Sequence, residues 1–242
     1  MSEIMAIAGG TWSRILRMRV IYFLILCVMI IIGSAYRYDV LSLGTQKILM
    51  VDVSFFLNTI AAILVAVALT FEIPKELREG VASTLLSKPL GRTQYLIGKL
   101  VGVIIAGLVI TGLITIGFLL VFNLFFHKID LEMIQGHLLI MLSVIPMCSI
   151  ALLFSVFIPE SLSAILTVFA IWASHAASKI ANLKVLYGGI IPDLNLFNFK
   201  AEAAYASHIS WGYILMVTLW GISFSVFAAT FASLLFSNKD LK

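Results

Sequence analysis

The chain has 242 residues, 62% of them hydrophobic and 12% charged, with a net charge of +4 and a mean hydropathy of +1.11. Soluble domains are about half apolar and about one quarter charged, so a water-soluble globular fold is excluded. The charges are spaced to leave uncharged runs of bilayer-crossing length, a pattern that fits membrane topology and argues against a nucleic-acid partner.

Residues 1–17 form the lead-in to the first apolar run. Ile4, Ala8, Trp12 and Ile15 follow a helical spacing, and Arg14 and Arg17 suit lipid head groups, so an N-terminal interfacial helix is expected. Gly9 and Gly10 weaken that helix, and the segment also reads as a basic flank that only orients the first span. No small-x-small cleavage site with a soluble domain comes after the first run, which therefore reads as a retained helix.

Six spans are predicted at about 18–36, 53–71, 96–122, 137–157, 161–178 and 211–236, all within a single membrane domain covering 1–242. Segments such as YFLILCVMIIIG and TGLITIGFLLVF are apolar on every side, which indicates helices and not alternating barrel strands. The fold class is thus all-α integral membrane protein. In the third span, Gly98 and Gly102 make a small-xxx-small pair that permits close helix approach. Pro146 is expected to kink the fourth span, and IPES joins the fourth to the fifth in a short turn. The outer connection, 179–210, mixes turn and apolar residues and is expected on or in the outer leaflet. Six spans put both termini on one side, and counting Lys and Arg favours a cytoplasmic location for them.

Several chemistries lack their residues. GRTQYLIGKL has the wrong glycine spacing for a phosphate-binding loop, and leucine follows its lysine. HExxH and G-x-S-x-G are absent. His127, His137, His175 and His208 fall at predicted helix ends or loops without ligand spacing and read as interfacial residues. Cys27 and Cys148 lie in predicted spans and read as free, apolar thiols. No acid, base and nucleophile set stands out within the spans, and no ionisable residue lies at the centre of one, which counts against ion-driven transport. No catalytic, cofactor-binding or metal-binding residue is assigned, and an enzyme is not expected.

The stretch that breaks the pattern is Glu72–Lys99, EIPKELREGVASTLLSKPLGRTQYLIGK. Glu72, Glu76 and Glu79 share a helical side, Gly80 permits a bend, and VASTLLS fits a short helix with Val81 and Leu85 four apart and Leu86 beside them. Pro89 and Gly91 end it, and Thr93 is expected to cap the third span. The bland interpretation is a solvated loop with its leucines resting on the bilayer. The alternative is an apolar knob with a charged rim that a soluble partner grips.

E-x-x-x-E-x-x-x-G followed by TLLSKPLGRTQYLIGKLVG resembles the second cytoplasmic segment of type-2 ABC transporter permeases, the export class. IPDLNLFNF before the last span and the terminal LLFSNKDLK are similar to that family's outer connection and closing residues. The resemblance implies a cell inner membrane permease that pairs with a second permease subunit, as a homodimer or with a homologue. It also implies docking onto a separate ATP-binding cassette subunit, which holds the ATP and Mg and drives export. Carried over, residues 72–95 would be the coupling segment and Val81–Ser87 the coupling helix between spans two and three. Glu76, Arg78, Glu79, Leu85, Leu86, Lys88 and Arg92 would join Val81 in binding the partner. Val81 follows Gly80 where many members have threonine, which leaves the helix register open. A non-transporting membrane anchor or assembly protein for a cytoplasmic partner is the competing interpretation.

Overall fold

The computed structural model describes residues 2–37, 46–80, 91–176 and 192–237. Among them, all regular structure is helical: α1 (Ser2–Leu16), α2 (Arg19–Ala35), α3 (Gln46–Arg78), α4 (Arg92–Phe126), α5 (Leu131–Phe157), α6 (Glu160–Ala176), a 3-10 turn (Leu194–Phe197), α7 (Lys200–Tyr205) and α8 (Trp211–Ser237). Each of the six apolar runs lies over one of the longer helices. By length and composition α3, α4, α5 and α8 can cross a membrane, and α1 with α2, bent by 56° at their junction, would make a fifth if taken as one span. At 17 residues each, α2 and α6 reach only about 26 Å at 1.5 Å per residue, a little short of the roughly 30 Å hydrocarbon core.

Polar contacts sort the helix ends. At one end Arg14 of α1 meets Glu72 and Glu76 of α3, Arg78 meets Glu160 at the start of α6, and Arg92 of α4 meets the last carbonyls of α8. At the other end Tyr36 stacks on Phe125, Lys47 pairs with Asp130, and Lys200 pairs with Asp52. The longer helices from α2 onward therefore alternate in direction. α5 lies at the centre, packed by α3, α4, α6 and α8, with 72% of its most apolar stretch buried against 28% for α8. It runs unbroken through Pro146, whose ring sits against Gly221 of α8.

The close approach expected at Gly98 and Gly102 is present, and its partner is the lead-in. A Cβ at Gly98 would fall 2.8 Å from the Ile7 Cβ, and one at Gly102 would fall 2.7 Å from the Ala8 carbonyl and the Thr11 Cβ. Ala8 and Ile15 are accordingly buried against protein, and α1 continues straight through Gly9 and Gly10, where open space surrounds the backbone. The lead-in is a packed element of the bundle and more than a basic flank. Gly80 ends α3 with φ 72°, the left-handed conformation that glycine adopts without steric cost. The cap of α4 is not Thr93 but Gly91, whose N–H donates to Gln94 Oε1 at 3.0 Å.

The described part of the 179–210 connection packs on the bundle. Leu194, Phe197, Ala203 and Ile209 are buried, and the Tyr213 hydroxyl donates to the Leu196 carbonyl at 2.9 Å. Asp193 caps the 3-10 turn by accepting from the Asn195 N–H. Cys27 and Cys148 are both free thiols, Cys148 fully enclosed.

Candidate partner-coupling site

The last two turns of α3 carry Glu72 and Glu76, four apart and thus on one face. That face turns inward, onto the first turns of α4. Lys99 Nζ lies 2.6 Å from Glu76 Oε1 and 2.8 Å from Glu72 Oε1. Arg14 of α1 reaches the same two oxygens at 2.7 and 3.2 Å. The second Glu76 oxygen accepts from the Tyr95 hydroxyl at 2.7 Å. Two acids thus face two bases, and the cluster is neutral as a whole. The Lys99 side chain is only 3% exposed and that of Glu76 only 5%.

Burial decides what such a cluster does. Removing two charges from water costs several kcal/mol per ion, so a buried pair adds little net stability, whereas deleting one partner leaves a charge stranded at a cost of about 3–5 kcal/mol. The arrangement therefore selects one relative placement of α1, α3 and α4 more than it stabilises the fold.

Two further contacts fasten the same end. Arg78 and Glu160 pair at 2.8 Å, joining α3 to the first residue of α6. Arg92 Nη1 donates to the carbonyls of Phe236 and Ser237 at 3.2 and 2.8 Å, satisfying groups that a helix C-terminus leaves unpaired. Glu79 is exposed and approaches Lys75 at 3.9 Å, a surface pair of small energetic weight.

Of the residues expected to grip a partner, Arg78 and Glu79 both stand on an exposed surface. Glu76, expected at the rim, is an interior group committed to Lys99, Tyr95 and Arg14, because the helical face that it shares with Glu72 is the face α4 covers. Arg78 and Arg92 hold helix ends together within the chain. Val81, Leu85, Leu86 and Lys88 lie outside the described residues. Sequence reasoning missed Lys99, Tyr95 and Arg14 as partners of the acids. The spacing of Glu72 and Glu76 before a lysine two turns into the next helix was the available signal.

At the opposite end of the bundle the histidine expectation is corrected. His137 is fully buried inside α5, stacked on Phe118 at 4.6 Å between ring centroids and edge-on to Phe55 at 4.4 Å. Its Nδ1 donates to the Met133 carbonyl at 2.8 Å, and its Nε2 lies 3.1 Å from Ser54 Oγ. A serine and an imidazole do therefore meet within the helices. Both are entirely enclosed, so a substrate bond has no access to the serine oxygen. Nearby, Asn58 Nδ2 donates to Thr115 Oγ1 at 3.0 Å. Among the described residues no three His, Cys, Asp or Glu side chains converge as a metal site would require.

Two hollows flank the clustered end. One, of about 560 Å³, is an apolar groove between α4 and α8 lined by Ile97, Leu100, Ile104, Ile222 and Val226. The other, of about 580 Å³, lies beside the ion cluster, between the α1–α2 junction and α3, with Arg14, Met18, Phe71 and Lys75 in its wall. No protein-family model matches this chain, and no curated protein matches it in sequence.

Proposed function

We propose that the chain is the membrane-spanning permease subunit of an ABC exporter. In this reading all six apolar helices cross the inner membrane with both termini in the cytoplasm, and a separate ATP-binding subunit docks on the segment between α3 and α4. A second permease subunit completes the complex, and ATP and Mg belong to the docked partner.

The observation that carries this reading is the buried ion cluster that joins the described ends of α3 and α4. α3 and α4 are 33 and 35 residues long, about 50 Å each at 1.5 Å per residue, against a hydrocarbon core of about 30 Å. Both outlast the bilayer, and their extended ends are locked to each other through Lys99 and the two glutamates. A segment that only joined two spans would need neither the excess length nor a buried ionic base. A segment that receives mechanical work from a soluble partner needs both, since a compliant mount would absorb the stroke. The resemblance of Glu72–Gly102 to the coupling region of type-2 permeases agrees with this.

The direct test replaces Leu85 and Leu86 with Asp. The variant should insert normally and lose co-purification of an ATP-binding subunit, and retained stoichiometric binding would count against the reading. ATP-dependent flux in vesicles containing both subunits separates transport from anchoring, because an anchor would hold the partner and move nothing.

A further inference from the structure

We infer that the apolar groove between α4 and α8 is a binding site for one membrane phospholipid, with an acyl chain laid between the two helices and the phosphate at the end marked by Arg92. The inference needs only that both helices cross the bilayer, and it stands apart from the permease reading.

The groove has the polarity of a lipid along its length. Arg92 donates to the carbonyls of Phe236 and Ser237, so the first turn of α4 lies beside the last turn of α8 and the two helices run antiparallel. Hydroxyls gather at that end, where Thr93, Thr230, Ser233 and Ser237 line the walls. Further in, Leu100, Val101, Ile104, Ile145 and Ile222 take over, and Ser225 spends its hydroxyl on the Gly221 carbonyl. The mouth is also electropositive. Arg92 and the N-terminus of α4 supply the charge, and neither the first turn of α4 nor the last turn of α8 holds an acid. A lipid phosphate is the anion that a bilayer presents at that depth.

The length fits one leaflet. α8 has 27 residues and spans about 40 Å at 1.5 Å per residue, about 10 Å more than the hydrocarbon core. Centred in the bilayer, it puts Ser237 among the head groups and the mid-plane beside Ile222. From Ser233 to Ile222 the groove covers about 16 Å, against about 15 Å for half of that core. α8 rests mainly on α5, and a chain in this groove fills the gap left toward α4.

Ser233 stands at the level where a tail joins its glycerol. Its Oγ is enclosed and has no hydrogen-bond partner among the described residues. A serine within a helix ordinarily bonds the carbonyl one turn back, as Ser223 and Ser225 of the same helix do. The ester carbonyl of a lipid in the groove supplies the acceptor that Ser233 lacks.

The experiment titrates dioleoyl phosphatidylglycerol into the purified full chain in detergent and follows the first lipid bound by native mass spectrometry. Dioleoylglycerol, which lacks the phosphate, and inorganic phosphate are the parallel probes. The phospholipid should bind about tenfold or more tighter than the diacylglycerol, the weight of one charge-assisted contact, and excess phosphate should not displace it. Ala229→Phe and Val226→Trp, which fill the groove from α8, should each weaken phospholipid binding about tenfold for every two methylenes kept out. Phe227→Trp, an exposed position of α8 outside the groove lining, should bind as the parent does. Arg92→Gln should bring the phospholipid down to the level of the diacylglycerol and leave the diacylglycerol unchanged, whereas a merely structural loss of the clasp on α8 lowers both alike. Parent-like binding in both groove variants, no preference over the diacylglycerol, displacement by phosphate, or equal losses of both lipids in Arg92→Gln would each overturn the inference. So would loss of self-association in the groove variants with lipid binding unchanged, which assigns the groove to a second copy of the chain.

Discussion

Lys99 Nζ lies 2.6 Å from Glu76 Oε1, and the same oxygen is 2.7 Å from Arg14 Nη1, so one buried carboxylate oxygen joins three helices. Replacing Lys99 with Met strands Glu72 and Glu76 beside a single half-exposed guanidinium. A loss of about 3–5 kcal/mol is expected, read as a fall in the thermal midpoint in detergent. Adding Glu76→Gln to Lys99→Met should recover part of that loss, since the stranded charge is then removed. Strict additivity of the two single losses would show that the pair is not coupled.

The glycine notches predict a steric phenotype. Gly102→Val puts branched carbons where the Ala8 carbonyl and Thr11 already stand, so α1 must lift away. Overpacking of this kind costs about 1–3 kcal/mol. A cysteine at Ala8, only 2% exposed in the intact fold, should become reactive to a maleimide in Gly102→Val and stay protected in the parent. Equal protection in both would contradict the packing.

Asp130 ties the two helices at the far end. Its hydrogen bond with Lys47 at 2.7 Å holds its carboxyl below the usual aspartate range, and Lys128 at 3.1 Å assists despite the opposing effect of burial. A depressed folded value means that the stabilisation is complete above the unfolded value and is lost as pH falls through the folded one. Stability should therefore decline on the acid side of the ordinary aspartate range, by about 1 kcal/mol or less for a pair this close to solvent. Asp130→Asn should flatten that part of the curve and leave the neutral region lower. Superimposable acid limbs in the two proteins would refute the assignment.

Ser54 and His137 make a buried polar contact between α3 and α5, beside the bonds that Ser54 Oγ makes to the Val51 carbonyl and His137 Nδ1 to the Met133 carbonyl within their own helices. Removing the hydroxyl in Ser54→Ala leaves the imidazole Nε2 without a protein partner in an aromatic cage, which should cost about 1–3 kcal/mol. His137→Phe, which removes the polar ring and keeps its bulk, should be tolerated better than His137→Ala. The comparison is made by unfolding the three variants in parallel, and equal losses for Phe and Ala would show that packing volume is irrelevant there.

The helices were legible because charge is costly in hydrocarbon: the gaps between Arg19 and Arg37 or between Glu132 and Glu160 mark α2 and α5 without further information. Their ends were less legible. α5 begins at Leu131 and not near His137, so a histidine expected at the interface lies almost two turns inside. The burial of Glu76 was illegible for a related reason. Its spacing from Glu72 shows which acids share a face, but only tertiary packing shows that α4 covers that face. The Gly98–Gly102 pair was equally plain as a notch, while nothing in its periodicity names α1 as the helix that fills it. Four of the residues expected to bind a partner, Val81, Leu85, Leu86 and Lys88, lie outside the described residues.

The enclosure of α5 bears on how any cargo could travel. Val144 of this helix stands where a Cβ on Gly107 would come within 2.5 Å, and Leu139, Met147 and Leu152 are wholly surrounded. Among the described residues, this helix fills the middle of the bundle as a solid axle. In the exporter proposed above, freight would slide along the outer wall, where a neighbouring copy or the lipid supplies the other side of the road.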